Sequence, residues 1–354
     1  MEEGLKPAHA RAVPGGDPRA PAPGAGAASH LGWMKYIGRR LLQAIPTLLV
    51  IAVLNFSIVQ LVPGNAADVL AGEAGGATPE YMAQLRKQFG LDQPMPVQLA
   101  LYMKNVVTLN LGYSFRNGMP VRELVWQRMG PTLLLMGTTI VLSIGVGMLL
   151  GIAAASRPNS LRDQAISVLA LLSYATPLFW VGLMFISLFS LELGWFPTSG
   201  METVAAFHEG WDRVGDIARH LVLPAVTLSL FYMALYARLM RATMLEQAGM
   251  DYVTTARAKG LTERRITFGH ILRNAALPIV TMAGVQIGAL LGGSVVVETV
   301  FGWPGMGLLA YQALFARDIN LLLGIFFISA CVVVVVNLLV DLLYVALDPR
   351  IEMR

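Results

Sequence analysis

Five lysines, five histidines and a single cysteine limit the chemistry open to this chain. A phosphate-cradling P-loop needs a lysine between glycine and serine or threonine, so that backbone amides and the ammonium group surround the phosphates. Lys6, Lys35, Lys87, Lys104 and Lys259 follow Leu, Met, Arg, Met and Ala, so the chain carries no such loop and any ATP hydrolysis belongs to another subunit. Cys331 alone permits neither an intrachain disulfide nor a cysteine zinc cluster. His9, His30, His208, His220 and His270 contain no close pair of metal-ligand spacing. With no convergent nucleophile and base either, we expect a chain without catalytic residues, metal or cofactor of its own.

The remaining polar groups lie inside apolar stretches, where they usually face protein or a water-filled path. Asn55, Thr139, Ser143, Gln286 and Ser294 are the candidates for lining such a path. Serine and threonine also bond back to their own helix or pack against a neighbour, so the hydroxyls serve either purpose. Glu298 and Asp341 stand near opposite ends of their helices, where capping or pairing with basic groups competes with facing such a path. Glycines recur every fourth residue at Gly147 and Gly151 and at Gly284, Gly288 and Gly292. Such faces let helix backbones approach closely, either within one subunit or at a sliding subunit interface.

These residues must be held by membrane helices. The chain of 354 residues is 55% hydrophobic and 14% charged, against roughly 25% charged in soluble domains. Six stretches, 41–62, 132–155, 165–191, 221–239, 277–300 and 321–347, meet or approach the roughly 20 residues a spanning helix needs. In lipid every backbone group must be paired within its segment, so even the valine run 332–336 is expected to be helical. Pro177 and Pro224 are expected to kink or start their helices. With both ends inside, 17 of the 26 Lys and Arg fall in cytoplasmic segments and 9 outside, a bias that supports this orientation. The net charge of +4 then reports topology and requires no nucleic-acid partner. Residues 1–30, rich in Ala, Pro and Gly, read as a disordered cytoplasmic extension, and 31–354 as the transmembrane domain. Within that domain 63–130 is an external helical segment, with a short helix framed by Thr78, Pro79 and Gly90. Residues 240–276 form a cytoplasmic loop.

That loop is polar and basic. Asp251 is expected to be the N-cap of a helix of about two turns, ended by Gly260 in a left-handed cap. Arg257 and Lys259 sit near its negative end. So short a helix is marginal alone in water and needs support from the chain or a docked partner. A second helix, 262–274, is expected before the proline at Pro278.

Asp251-Tyr252-Val253, Thr255-Ala256-Arg257-Ala258-Lys259-Gly260-Leu261, His270, Leu272-Arg273-Asn274-Ala275 and Pro278 together resemble the cytoplasmic loop of ABC-importer permeases of the oligopeptide, dipeptide and nickel branch. The resemblance continues through Gly292-Gly293-Ser294-Val295-Val296-Val297-Glu298-Thr299-Val300-Phe301, Trp303-Pro304-Gly305, Asn337-Leu338-Leu339-Val340-Asp341 and Asp348-Pro349-Arg350. Near the start it covers Arg39-Arg40-Leu41-Leu42 and Pro63-Gly64, with asparagine at Asn65 and Asn110 where the branch often has aspartate.

The resemblance implies an all-α integral membrane protein of six transmembrane helices, with the type I ABC importer permease fold and a cytoplasmic coupling helix. It implies a bacterial inner-membrane location and four kinds of neighbour: a second homologous permease subunit, two ABC ATPase subunits holding ATP and Mg, an external solute-binding protein, and the lipid bilayer. The residues it assigns to ATPase coupling are Asp251, Tyr252, Thr255, Ala256, Arg257, Lys259 and Gly260. The cargo expected is a short peptide or related small solute. An ion-gradient-driven secondary transporter or channel is the alternative, and it would ordinarily carry an ionisable residue at a span centre.

Overall fold

The computed structural model describes residues 27–61, 92–114 and 116–347, with residues 78, 83 and 87 isolated between the first two ranges. Most of the N-terminal extension, Pro63, Gly64, Asn65, most of the 78–90 helix and Asp348-Pro349-Arg350 therefore lie outside the described residues.

The described chain is a helical assembly with one small hairpin. Helix α1 spans Ala27–Leu61 and α2 Met95–Val107. Strands β1 (Tyr113–Ser114) and β2 (Met119–Pro120) pair antiparallel. Helix α3, Val121–Ala155, follows directly. Helices α4 (Leu161–Ala175) and α5 (Leu178–Phe185) come next, the latter running into a π-helical turn at Ile186–Glu192. Helix α6 is Gly210–Ala248 and α7 is Asp251–Ala258. Helices α8 (Glu263–Ile266) and α9 (Leu272–Ala275) are joined by a π-helical turn at Thr267–Ile271. The chain closes with α10 (Leu277–Val300), α11 (Met306–Phe315) and α12 (Ile319–Leu347).

Among the described residues, four helices are long and apolar enough to cross a membrane: the 38–58 part of α1, α3, α6 and the 319–340 part of α12. The stretch 165–191, expected as a span with a kink or helix start at Pro177, consists of two helices meeting at 103°. The break lies at Thr176-Pro177. A residue before proline is driven out of the α region, and Thr176 is extended at φ −80°, ψ 133°. Pro224, by contrast, is absorbed inside α6, which remains one helix of 39 residues. The valine run 332–336 is helical as expected.

The core is built around α3 against α6. A Cβ on Gly147 would come within 2.7 Å of the Tyr236 Cβ, and one on Gly151 within 2.5 Å of the Met240 Cβ. Both glycines therefore serve close packing within this chain, where any side chain would force the helices apart. Gly284 makes the same kind of approach to Val340, joining α10 to α12. The surroundings of Gly288 and Gly292 lie outside the described residues. The hairpin is tied to α12 through Ser114, whose hydroxyl donates to the Asp318 carboxylate at 2.5 Å, while Asp318 accepts from the Leu321 N–H.

Candidate functional site: the loop between α6 and α10

Only Gly249 and Met250 separate α6 from α7. This tight junction places Met250 at the N-cap, at φ −78°, ψ 150°, without a side-chain cap bond. Asp251 is thus the first helical residue rather than the cap expected from its type. Its carboxylate still stands at the positive end of the helix, and its carbonyl accepts from the Thr255 hydroxyl at 3.1 Å.

At the other end Gly260 has φ +76°. Its N–H donates to the Arg257 carbonyl at 2.9 Å, and the Leu261 N–H donates to the Ala256 carbonyl at 3.3 Å. This pair of bonds is the Schellman arrangement, which closes orphan carbonyls and needs a residue tolerant of left-handed φ at the glycine position. The Arg257 guanidinium grips Glu263 across the turn at 2.7 and 3.3 Å, linking α7 to the first turn of α8.

Support for this two-turn helix comes from the chain itself. Val253 and Ala256 point inward and are buried in the same core as Ile266, Ile271, Ala275 and Met244. Tyr252 is half-buried and donates to Gln247 at 2.9 Å. The Thr243 hydroxyl on α6 donates to the Ala275 carbonyl at 3.1 Å, fixing α9 alongside α6. Asp251, Thr254, Thr255, Arg257, Ala258, Lys259 and Gly260 are left exposed. Of the expected coupling residues, Ala256 therefore anchors the helix, Tyr252 is shared, and the others lie on its exposed face.

On the segment that follows α7 an open basin of about 540 Å³ is lined by Thr262, Arg264, Arg265, Phe268 and Gly269. The end of α6 at Ala248 lies nine residues past the apolar stretch ending at Leu239, or about 13 Å at the helical rise. Lipid headgroups extend about 5–8 Å beyond the hydrocarbon on each side. That length of helix exceeds the depth of a headgroup layer.

A second polar link near this end was missed. Arg241 of α6 donates to both oxygens of Asp163 at 2.6 and 2.7 Å. Asp163 also accepts from the Asn159 N–H, while the Ser160 hydroxyl accepts from the Asp163 N–H. Ser160 and Asp163, three apart before an apolar run, carry the signature of a helix start, which makes that half readable in sequence. The partner Arg241 lies 78 residues away and carries no local signal.

The polar residues expected along a path fall into two groups. Thr139 and Ser143 are fully buried; Ser143 donates to the Ser229 carbonyl at 3.3 Å, and the Thr139 hydroxyl has no partner. Ser294 is buried beside Glu298. Gln286 on α10 and Asn55 on α1 are half-buried, with the Asn55 amide nitrogen unpartnered and that of Gln286 3.8 Å from the Met282 sulfur. Among the described residues Glu298 pairs with no basic group. Its partners include the Thr132 hydroxyl and the Leu308 N–H, both at 2.9 Å, and all are neutral donors, so it acts as a cap.

Residues 33–136 match the family model described as the N-terminal part of the binding-protein-dependent transport system membrane component. Residues 147–353 match that of the binding-protein-dependent transport system inner membrane component. The chain belongs to this family. It is 41% identical to the oligopeptide transport system permease protein AppB of Bacillus subtilis, over 90% of this chain and 99% of that one. To the dipeptide transport system permease protein DppB of Alkalihalophilus pseudofirmus it is 36% identical, again over 90% and 99%. Its fold is like that of a chain of the inward-facing MetNI methionine ABC transporter, with TM-score 0.51 and 17% identity over 64% of this chain and 96% of that one.

Proposed function

We propose that this chain is one of the two transmembrane permease subunits of an ATP-driven importer for short peptides or a related small solute. It has six spans in this reading, the bent pair α4–α5 and α10 each counting as one, and both termini face the cytoplasm. ATP and Mg are held by two partner ATPases, and solute is delivered by an external binding protein to the face opposite α7. The names of AppB and DppB support the cargo, and the family supports the importer over an ion-gradient transporter. The observation that carries the coupling role is the divided helix Asp251–Ala258: its own chain buries Val253 and Ala256, while a polar face with Arg257 and Lys259 stays exposed.

In this mechanism, closure of the ATPases displaces α7. Its cap and the Arg257 to Glu263 link pass the displacement through α8 and α9 into α10, which begins at Leu277. Moving a two-state element from 1:99 to 99:1 takes about 5.5 kcal/mol, and this chain has no reaction to supply it. Nucleotide-driven closure of the partners is the source. Gln286, half-buried on α10, is our choice for the path; Asn55 is a second, and Thr139, Ser143 and Ser294 contribute only where the packing opens.

The test is co-purification. The affinity-tagged permease pair should retain its ATPases, and in vesicles with the binding protein short peptides should stimulate ATP hydrolysis several-fold. A permease that retains no ATPase, or solute accumulation driven by an ion gradient without ATP, would refute the assignment.

A further inference from the structure

The end of α10 farthest from the loop holds a carboxylate with no cation beside it among the described residues. Glu298 is fully buried. Its Oε1 accepts from the Thr132 hydroxyl of α3 and its Oε2 from the Leu308 N–H, each at 2.9 Å. The Ser294 hydroxyl and the Gly307 N–H also face it. Thr132 in turn accepts from the Met306 N–H at 2.7 Å. The first three amides of α11, at Met306, Gly307 and Leu308, are therefore satisfied by side chains from two other helices. The residue at the cap itself, Gly305, has no side chain to offer.

The fit leaves no slack. A Cβ at Gly305 would overlap the Glu298 carboxylate, and one at Gly307 would come within 2.8 Å of Oε2. A second fastening lies one residue from Thr132, where the indole N–H of fully buried Trp303 donates to the Pro131 carbonyl at 2.9 Å. Between the fastenings the backbone folds back on itself: Gly302 has φ +57° and the Trp303 N–H returns to the Glu298 carbonyl. Buried amides without partners are costly, and a carboxylate is the strongest acceptor available for a helix N-terminus.

We propose that Glu298, acting through Thr132 and the α11 amides, is a positioning residue for transport: it makes α3, the end of α10 and α11 move as one body. The inference rests on the importer reading. In that reading α10 is driven from its Leu277 end, and Glu298 lies 21 residues along it, about 32 Å away by helical rise. The movement of α10 thereby reaches the short helix α11 on the external side instead of dissipating in a loose turn.

The experiment uses the complete transporter in vesicles, with Thr132→Val, Glu298→Gln, their combination, and Thr132→Ser, which keeps the hydroxyl. Three quantities are read: assembled complex, solute imported per ATP hydrolysed, and hydrogen exchange of the amides at 306–308. Thr132→Val and Glu298→Gln should assemble at close to wild-type level, lower solute per ATP at least five-fold and speed exchange at 306–308 at least ten-fold. The double variant should be no worse than Glu298→Gln alone, and Thr132→Ser should restore both readouts to within two-fold of wild type. Wild-type import in the same vesicles tests the importer reading separately. Solute per ATP unchanged in the double variant would overturn the proposal, as would import falling only in proportion to assembled complex.

Discussion

Gly260 and the Arg257 to Glu263 pair show how much of the loop rests on single residues. A Cβ at Gly260 would meet nothing within 4 Å, so the only demand for glycine there is the φ of +76°. That demand was readable in the sequence, because a breaker-free run ending in glycine announces the cap. Asp251 misled, since its type favours an N-cap but the two-residue junction after α6 leaves that position to Met250. The ion pair makes a pH prediction. The Glu263 carboxyl is held below its ordinary value, first by the hydrogen bond from Arg257 and also by the charge of that guanidinium. A depressed folded-state pKa means the link is present above the unfolded value, about 4.3, and is lost as pH falls through the folded one. In a Cys331→Ser background, a spin label at Lys259→Cys should therefore show unchanged mobility from pH 8 to about 5.5, with mobility rising only under stronger acid. In the Glu263→Gln background mobility should be raised at every pH. Equal mobility in both backgrounds at pH 7 would mean the pair holds nothing, which exposed pairs often do.

Among elements, the seam between α3 and α6 was legible as a spacing of glycines, but its partner was not. Sequence left open whether Gly147 and Gly151 meet another subunit, and the structure turns both toward Tyr236, Ala237 and Met240 of this chain. Gly145, in the same helix, has open space around its Cβ position. Gly151→Ala should accordingly lower thermal stability by about 1–3 kcal/mol, the ordinary cost of overpacking, while Gly145→Ala should be neutral or slightly stabilising. Equal melting temperatures of the two variants in detergent would refute the packing account. The break at Pro177 was also readable, because proline acts on its immediate neighbour. The 103° bend it produces was not, since the angle depends on what the two halves pack against. For the same reason nothing local announced Thr132 with Glu298, 166 residues apart, or Asp163 with Arg241.

For the molecule as a whole, membrane class and loop position followed from composition and spacing, whereas helix lengths did not. An apolar stretch marks only the part of a helix in hydrocarbon, and α6 runs well past both ends of the expected 221–239. Orientation is open to a direct check. In a Cys331→Ser background, Asn117→Cys should react with an impermeant thiol reagent added outside cells and Glu263→Cys should not; the reverse would invert the topology. The central claim is that α7 couples ATP hydrolysis to transport, and Gly260→Val tests it most directly. A Cβ there meets nothing within 4 Å, so the substitution is expected to act through backbone strain of about 1–3 kcal/mol at the cap. In proteoliposomes containing the complete transporter, the variant should insert normally and import solute far more slowly per ATP hydrolysed than the wild type. Wild-type import at a wild-type ATP cost, with the ATPases retained, would contradict the account.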